Sequence, residues 1–287
     1  MPDTFDSPLI DRLIDLALDE DVGGGDITSA LSIPSSLLGS GAILAKESFV
    51  FCGGALVERI FAAMKCEVLT SDLVPDGTRV EPGRILGTIA GSVRGLLAGE
   101  RTVLNFLQRL SGIATHTNTF VEAARPNIIL DTRKTTPGWR HLEKYAVLTG
   151  GGRNHRSSLS DMILVKNNHV DACGGDLEEV LRGIYGGKPP SMKVEVEVRD
   201  MKELSIALGF KPDVIMLDNW RDETLREAVT LVRSTSSATE IELSGGMTLE
   251  RVGNFSDIAP VLISVGALTT KAVNVDISLR ITASHGL

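Results

Sequence analysis

The stretch DTRKTTPGWR sets Arg133, Lys134 and Arg140 directly behind the apolar run Ile128-Ile129-Leu130. GGGRNHR then adds Arg153, His155 and Arg156, and LVKNNH adds Lys166 and His169. Residues 131–169 hold seven Lys/Arg against three Asp/Glu, and three of the five histidines, on a chain of formal charge -8. A local positive field on a negative body implies an anionic ligand. Arg133, His155, Arg156 and Lys166 would project donors into one cavity. A guanidinium holds a carboxylate through two parallel hydrogen bonds, so several such groups suit an anion with more than one negative site. Arg140 and Lys144 fall on the following helix and are expected to be solvated or paired with Glu143.

The acidic partners lie further on. In KVEVEV, period two puts Val194, Val196 and Val198 on one face and Glu195 and Glu197 on the other. An inward carboxylate costs several kcal/mol unless cations or ligands satisfy it. Glu195, deeper, is expected to form a structural ion pair with a neighbouring strand's Lys or Arg. Glu197, nearer the mouth, is expected to act on a ligand. Lys166 and Asp218 end their own strands in the same way, so the three make a ring of alternating charge. Asn168 and Asn219 are expected to form turns or to donate to these groups. Ser244-Gly245-Gly246 and Gly266 close the last two strands, where glycine lets backbone N–H groups approach a phosphate. GGG at 150–152 and VGGGD lack the Lys-Ser/Thr of a P-loop. Ser157-Ser158 lacks the context of a catalytic serine, and no zinc spacing occurs. Cations, a few carboxylates and glycine loops suit Mg2+-phosphate chemistry, carried by positioning and electrostatics.

These side chains need strands to aim them. NIILD, MILVK, KVEVEV, VIMLDN, EIELS and VLISVG are short apolar runs, and helical segments separate most of them. Strand–helix alternation implies a parallel sheet with helical cover. Six polar strand ends in succession suit the rim of a β/α barrel better than the single crevice of an open sheet. Before residue 127 the elements are mixed. A helix is expected on Leu9, Leu13, Ile14 and Ala17, strands around AILAKESFVF, CEVLTS and DGTRVEPGRILGTIAG, and a helix in ALVERIFAAM. GERTVLNFLQRL should be a long helix that breaks near Gly112 and resumes. VNVDISLRI alternates from Val273 to Ile281 and reads as a half-buried strand returning to the first domain.

The totals narrow the function. A sequence pI near 5.2 argues against general nucleic-acid binding. No apolar run is long enough to span a bilayer, and MPDTFDSPLI shows no secretory signal. Cys52, Cys66 and Cys173 are odd in number and widely spaced, which suits buried thiols in a reducing, cytoplasmic compartment.

ERTVLNFLQRLSGIAT, DTRKTTPGWRHLEKYAV, GGGRNHR, LVKNNH, VEVEV, LDN, ELSGG and VGALT, in that order, resemble the quinolinate phosphoribosyltransferase family, also called nicotinate-nucleotide pyrophosphorylase (carboxylating). The resemblance covers nearly the whole chain. It implies an α/β fold: an N-terminal α/β sandwich domain at 1–112 with a return strand at 271–287, and an incomplete, about seven-stranded TIM-like barrel at 113–270. It implies a homodimer with shared active sites, or a higher assembly such as a hexamer. Carried over by motif, Arg133, His155, Arg156 and Lys166 would hold the two carboxylates of quinolinate, and Arg101 would reach into the neighbouring subunit's site. Lys134, Glu197 and Asp218 would serve catalysis at the ribose and pyrophosphate of phosphoribosyl pyrophosphate, with Mg2+ on the two acids. Ser244, Gly245, Gly246 and Gly266 would bind its 5-phosphate. The implied reaction yields nicotinate mononucleotide, carbon dioxide and pyrophosphate for NAD biosynthesis. Two positions depart from the family pattern: Asn167 stands for the Asp of KDNH, and Thr270 for the His of LTH. Altered hydrogen bonding behind the site is expected there, with activity kept. The alternatives are a related phosphoribosyltransferase for another base, or a non-catalytic sensor of phosphorylated metabolites on the same fold.

Overall fold

Local chemistry starts the first helix: the Ser7 hydroxyl accepts the Leu9 N–H, and Pro8 occupies the opening turn of Pro8–Asp21. Its buried stripe is Ile10, Ile14 and Leu18, while Leu9 is 51% exposed, so the inward face lies one residue on from the expected one. The computed structural model describes residues 7–283, which fall into two units. One gathers the described residues up to Asn118, Thr135–Gly151 and those from Leu268 onward; the other holds Thr119–Lys134 and Gly152–Ala267.

In the first unit, β1 (Leu38–Ala45), β2 (Phe49–Val50), β3 (Val68–Ser71), β4 (Arg79–Val80) and β5 (Ile85–Ser92) follow in order, with the helix Ala55–Ala63 between β2 and β3. β5 pairs antiparallel with both β1 and β3, and β2 pairs with β4 in a separate ribbon. The long helix Val93–Ala124 continues through Gly112 instead of breaking there. A Cβ at Gly112 would lie 2.2 Å from the Val273 carbonyl oxygen, so close backbone approach requires the glycine. The contacts of Arg109 also depart from expectation. Its guanidinium donates to Glu143 (2.8 Å) and to the carbonyls of Thr269 (2.7 Å) and Ala272 (3.1 Å). Glu143, fully buried, also accepts the Thr136 N–H (3.1 Å) and hydroxyl (2.8 Å). Glu143 is therefore held by Arg109 and Thr136. Lys144 is buried rather than solvated, and the Arg140 Nε donates to Thr135.

In the second unit all six apolar runs become parallel strands: β6 (Ile128–Leu130), β7 (Ile163–Val165), β8 (Val194–Val198), β9 (Val214–Asp218), β10 (Glu240–Ser244) and β11 (Leu262–Ser264). Their order is β7-β8-β9-β10-β11-β6, so the first strand pairs with the last. That closure belongs to barrel topology; a doubly wound sheet reverses its order around an inner first strand. The opening lies between β6 and β7, where Arg153 adds a single parallel bridge to Leu130 beside β6. β12 (Ile277–Ala283) then pairs antiparallel with β1 in the first unit. The return strand starts later than the alternation implied, because Val273 lies outside it and is 80% exposed. Residues 284–287 lie outside the described residues. Among the described residues, no helix is long and apolar enough to cross a membrane.

Candidate active site

The strand ends of the second unit surround a cavity of about 630 Å³. Thr132, Arg133 and Lys134 line it after β6, His155 and Arg156 after the Arg153 bridge, and Lys166 and Asn167 after β7. Glu197 enters from β8, Asp218 and Asn219 from β9, and Ser244, Gly245 and Gly246 from β10. Inward-pointing side chains recur at period two, which is why Glu197, Met216 and Glu242 sit side by side in register on three adjacent strands. Lys166 Nζ lies 3.7 Å from Glu197 Oε2. Burial raises the Glu197 pKa; Lys166 opposes that shift and the Asp218 charge adds to it. The Arg156 pKa is lowered by burial and then by Arg133, so the two guanidinium groups repel one another.

The loop after β10 is built for close approach. Gly245 has φ +86°, and a Cβ there would lie 2.2 Å from Asn219 Oδ1. Asn219, itself at φ 59°, donates its N–H to the Ser244 carbonyl (3.0 Å) and its amide to Asp218 Oδ2 (2.7 Å). It thus ties the carboxylate of β9 to the glycine loop, in the donor role expected of it. Arg251 was missed by the sequence reading; it braces the same loop by donating to the Gly245 (2.8 Å) and Trp220 (2.8 Å) carbonyls. Gly266 is not among the lining residues. A Cβ there would lie 2.9 Å from Lys134 Cδ, so the glycine leaves room for that side chain.

Beneath the cations lies a buried knot. His155 Nε2 is 3.0 Å from Glu195 Oε2 and 3.4 Å from Glu242 Oε2, with both glutamates essentially inaccessible. Glu195 therefore has a structural partner, but it is His155 and not a Lys or Arg of a neighbouring strand. Glu242 was overlooked, although period two from Ser244 in EIELS places it inward by the argument already made for KVEVEV. His155 Nδ1 accepts the Arg156 N–H (2.8 Å). Burial pulls the His155 pKa down, but Glu195 and Glu242 together outweigh it and push it up to about 10. Burial, with Glu242 beside it, raises Glu195. Arg153 and His169 are exposed and outside the lining; the His169 Nδ1 instead accepts the Lys166 N–H at the start of the next helix. Arg101 belongs to the first unit, on an exposed turn of the long helix. Ser157 and Ser158 donate to Asp161 and shape a loop. Only Cys52 is a buried thiol; Cys66 is partly exposed and Cys173 exposed.

A barrel-type parallel sheet whose rim combines clustered cations, two carboxylates and a glycine loop defines an enzyme class that handles anionic, phosphorylated substrates. Family models for the N-terminal and C-terminal domains of quinolinate phosphoribosyl transferase match residues 26–111 and 113–280. The chain is 40% identical over 294 residues to quinolinate phosphoribosyltransferase (decarboxylating) 1b of Nicotiana tabacum, covering 96% of this chain and 83% of that protein. It is 39% identical over 293 residues to a chloroplastic nicotinate-nucleotide pyrophosphorylase (carboxylating) of Arabidopsis thaliana, covering 96% and 83%. The crystal structure of NadC from Streptococcus pyogenes superposes with a TM-score of 0.89 at 37% identity, covering 96% of this chain and 97% of that one. The chain belongs to the quinolinate phosphoribosyltransferase family.

Proposed function

We propose that the cavity seats quinolinate beside phosphoribosyl pyrophosphate and Mg2+, with the residue roles given below. The activity is the family's: transfer of phosphoribosyl to quinolinate with decarboxylation, a phosphoribosyltransferase step of NAD biosynthesis. The observation that carries the residue roles is the convergence of Arg133, Lys134, Arg156 and Lys166 with Glu197 and Asp218 on one cavity. Arg133, Arg156 and Lys166 hold the two carboxylates, with His155 in the same cluster. Ser244, Gly245 and Gly246 receive the 5-phosphate, and Gly266 gives Lys134 its place. As pyrophosphate leaves, C1 of the ribose becomes positive, and Glu197 and Asp218 stabilise it while Lys134 stays with the departing anion. The ring nitrogen attacks C1 as the C1–O bond to pyrophosphate breaks; the adjacent carboxylate then leaves as carbon dioxide, the bonding pair stays on the ring carbon beside the positive nitrogen, and a proton from water replaces the carboxylate.

Glu197 and Asp218 also suit Mg2+, which takes one or two carboxylates together with substrate phosphates. Asp218 raises the Glu197 pKa by its charge, and both acids line the same cavity. When bound, the ion would neutralise charge on the leaving pyrophosphate. A chain division near residue 112 is supported by the separate family matches, and a cytoplasmic, reducing compartment by three free cysteines.

Purified protein should release carbon dioxide from quinolinate only when phosphoribosyl pyrophosphate and Mg2+ are present, with nicotinate mononucleotide as the product. A protein that binds both substrates without turnover would be the metabolite sensor instead. We place Arg101 in the site of a second subunit of a homodimer or larger assembly. Arg101→Ala and Lys134→Ala should each be inactive alone, and subunit exchange between them should restore about a quarter of the wild-type rate, since random pairing leaves one intact site in half of the dimers. No recovery would refute the sharing.

A further inference from the structure

Arg251 lies outside the cavity lining, yet its guanidinium holds the loops of two strand ends. Thr248 caps the short helix Leu249–Val252 by accepting the Arg251 N–H (3.1 Å), which fixes where the side chain begins. Its Nη1 donates to the Gly245 carbonyl (2.8 Å) and its Nη2 to the Trp220 carbonyl (2.8 Å). Nη2 (3.0 Å) and Nε (3.3 Å) both donate to Asp222 Oδ1. The guanidinium carbon also lies 5.8 Å from the centre of the buried Phe255 ring. All three nitrogens are thus engaged inside the protein, and Asp222 balances the charge. What Arg251 supplies to the cavity is direction, not a positive field.

That direction follows from the peptide plane. In a trans peptide the C=O of one residue and the N–H of the next point opposite ways. The Ser244 carbonyl is held by the Asn219 N–H (3.0 Å), and the Gly245 carbonyl by Arg251. The N–H groups of Gly245 and Gly246 are therefore turned away from these anchors. Among the described residues, none accepts either N–H. Gly245 and Gly246 line the cavity, and their φ values of +86° and +58° favour glycine. Successive amides at such a turn form a concavity that suits an anion.

We propose that Arg251 is a positioning residue for phosphoribosyl pyrophosphate: by holding the Gly245 carbonyl from behind, it aims the Gly246 N–H at the 5-phosphate. The inference rests on the reading that Ser244 to Gly246 receive that phosphate. Trp220 and Asp222 follow β9, so the same side chain ties the phosphate cradle to the strand that ends in Asp218. The held phosphate and the carboxylate that serves C1 are thereby kept at a fixed separation. A lysine cannot take over this task. A single ammonium lacks the planar fork that spans two carbonyls and a carboxylate.

Calorimetric titration with ribose 5-phosphate tests the cradle without turnover. Arg251→Lys and Arg251→Gln should each bind it about tenfold more weakly than the wild type, the scale of one charge-assisted hydrogen bond. Quinolinate should bind both variants within about twofold of the wild type. In steady state, KM for phosphoribosyl pyrophosphate should rise about tenfold and KM for quinolinate stay within about twofold. Wild-type binding of ribose 5-phosphate by either variant would overturn the proposal; recovery in the lysine variant alone would make charge the cause. Equal losses for ribose 5-phosphate and quinolinate would mark general loss of structure and overturn it too. If one variant does not fold, the other decides. If neither folds, Arg251 serves the whole structure and the proposal falls. Ribose 5-phosphate binding with the expected loss in the variants, but no turnover of quinolinate by the wild type, would refute the transferase reading alone. No binding of ribose 5-phosphate to the wild type would refute the phosphate cradle and the role of Arg251 together.

Discussion

Glu197→Gln should lower kcat by about 10²–10³-fold at saturating Mg2+, the usual scale for removing one preorganised electrostatic group. KM for quinolinate should stay within about threefold. Glutamine keeps the shape of the side chain and removes only its charge. Glu197, next to last in β8, is 8% exposed, in a place where water screens little. Its charge is needed most when C1 of the ribose is most positive, which is in the transition state and not in the bound substrate. Lys166 would lose its partner at 3.7 Å, leaving its ammonium free to strengthen the hold on a quinolinate carboxylate. Rate and quinolinate affinity should therefore separate. Initial rates over a grid of both substrates measure the two parameters independently. A large rise in quinolinate KM with kcat unchanged would make Glu197 a binding group and remove it from the chemistry.

The sequence and the structure agree where a residue's position follows from local periodicity. All six runs after Asn127 are strands because each is short, apolar and bounded by polar ends, and their C-terminal residues reach one cavity because parallel strands share a direction. Glu197, Asp218 and Lys166 were legible for that reason. Distant partners were not. Glu143 looked available to Arg140 or Lys144, its neighbours on one helix, but it is held by Arg109, 34 residues away. Gly112 looked like a break because glycine costs a helix about 1 kcal/mol relative to alanine. The Val273 carbonyl that needs the space lies far along the chain, so no local pattern could reveal it. The Asn219 bridge between Asp218 and the glycine loop shows the intermediate case. Its turn-forming residue type was readable; which strand ends it joins was not. The three ring contacts of His155 belong with the illegible set, since they come from β8, β10 and the adjoining amide at once.

Nicotinate, which lacks one of the two carboxylates, should be used at least about 10⁴-fold less well than quinolinate in kcat/KM, as expected for a site that hydrogen-bonds a group the analogue lacks. The reason lies in the cost of the empty half of the site. Arg156 is partly buried with Arg133 beside it, and both burial and that neighbour lower its pKa. A dicarboxylate relieves the repulsion; a monocarboxylate leaves a desolvated cation without a partner. Decarboxylation offers no compensation, because nicotinate has no carboxylate next to the ring nitrogen to lose. Arg156→Ala should then raise KM for quinolinate by about 10–100-fold, the range of a charged hydrogen bond, and change nicotinate use far less. The preference narrows in that variant because the penalty against nicotinate leaves with the guanidinium. Paired kcat/KM values for the two acids, in wild type and variant, measure it directly. Comparable use of both acids by the wild-type protein would mean that the cationic cluster does not read the second carboxylate, and would favour a phosphoribosyltransferase for another base.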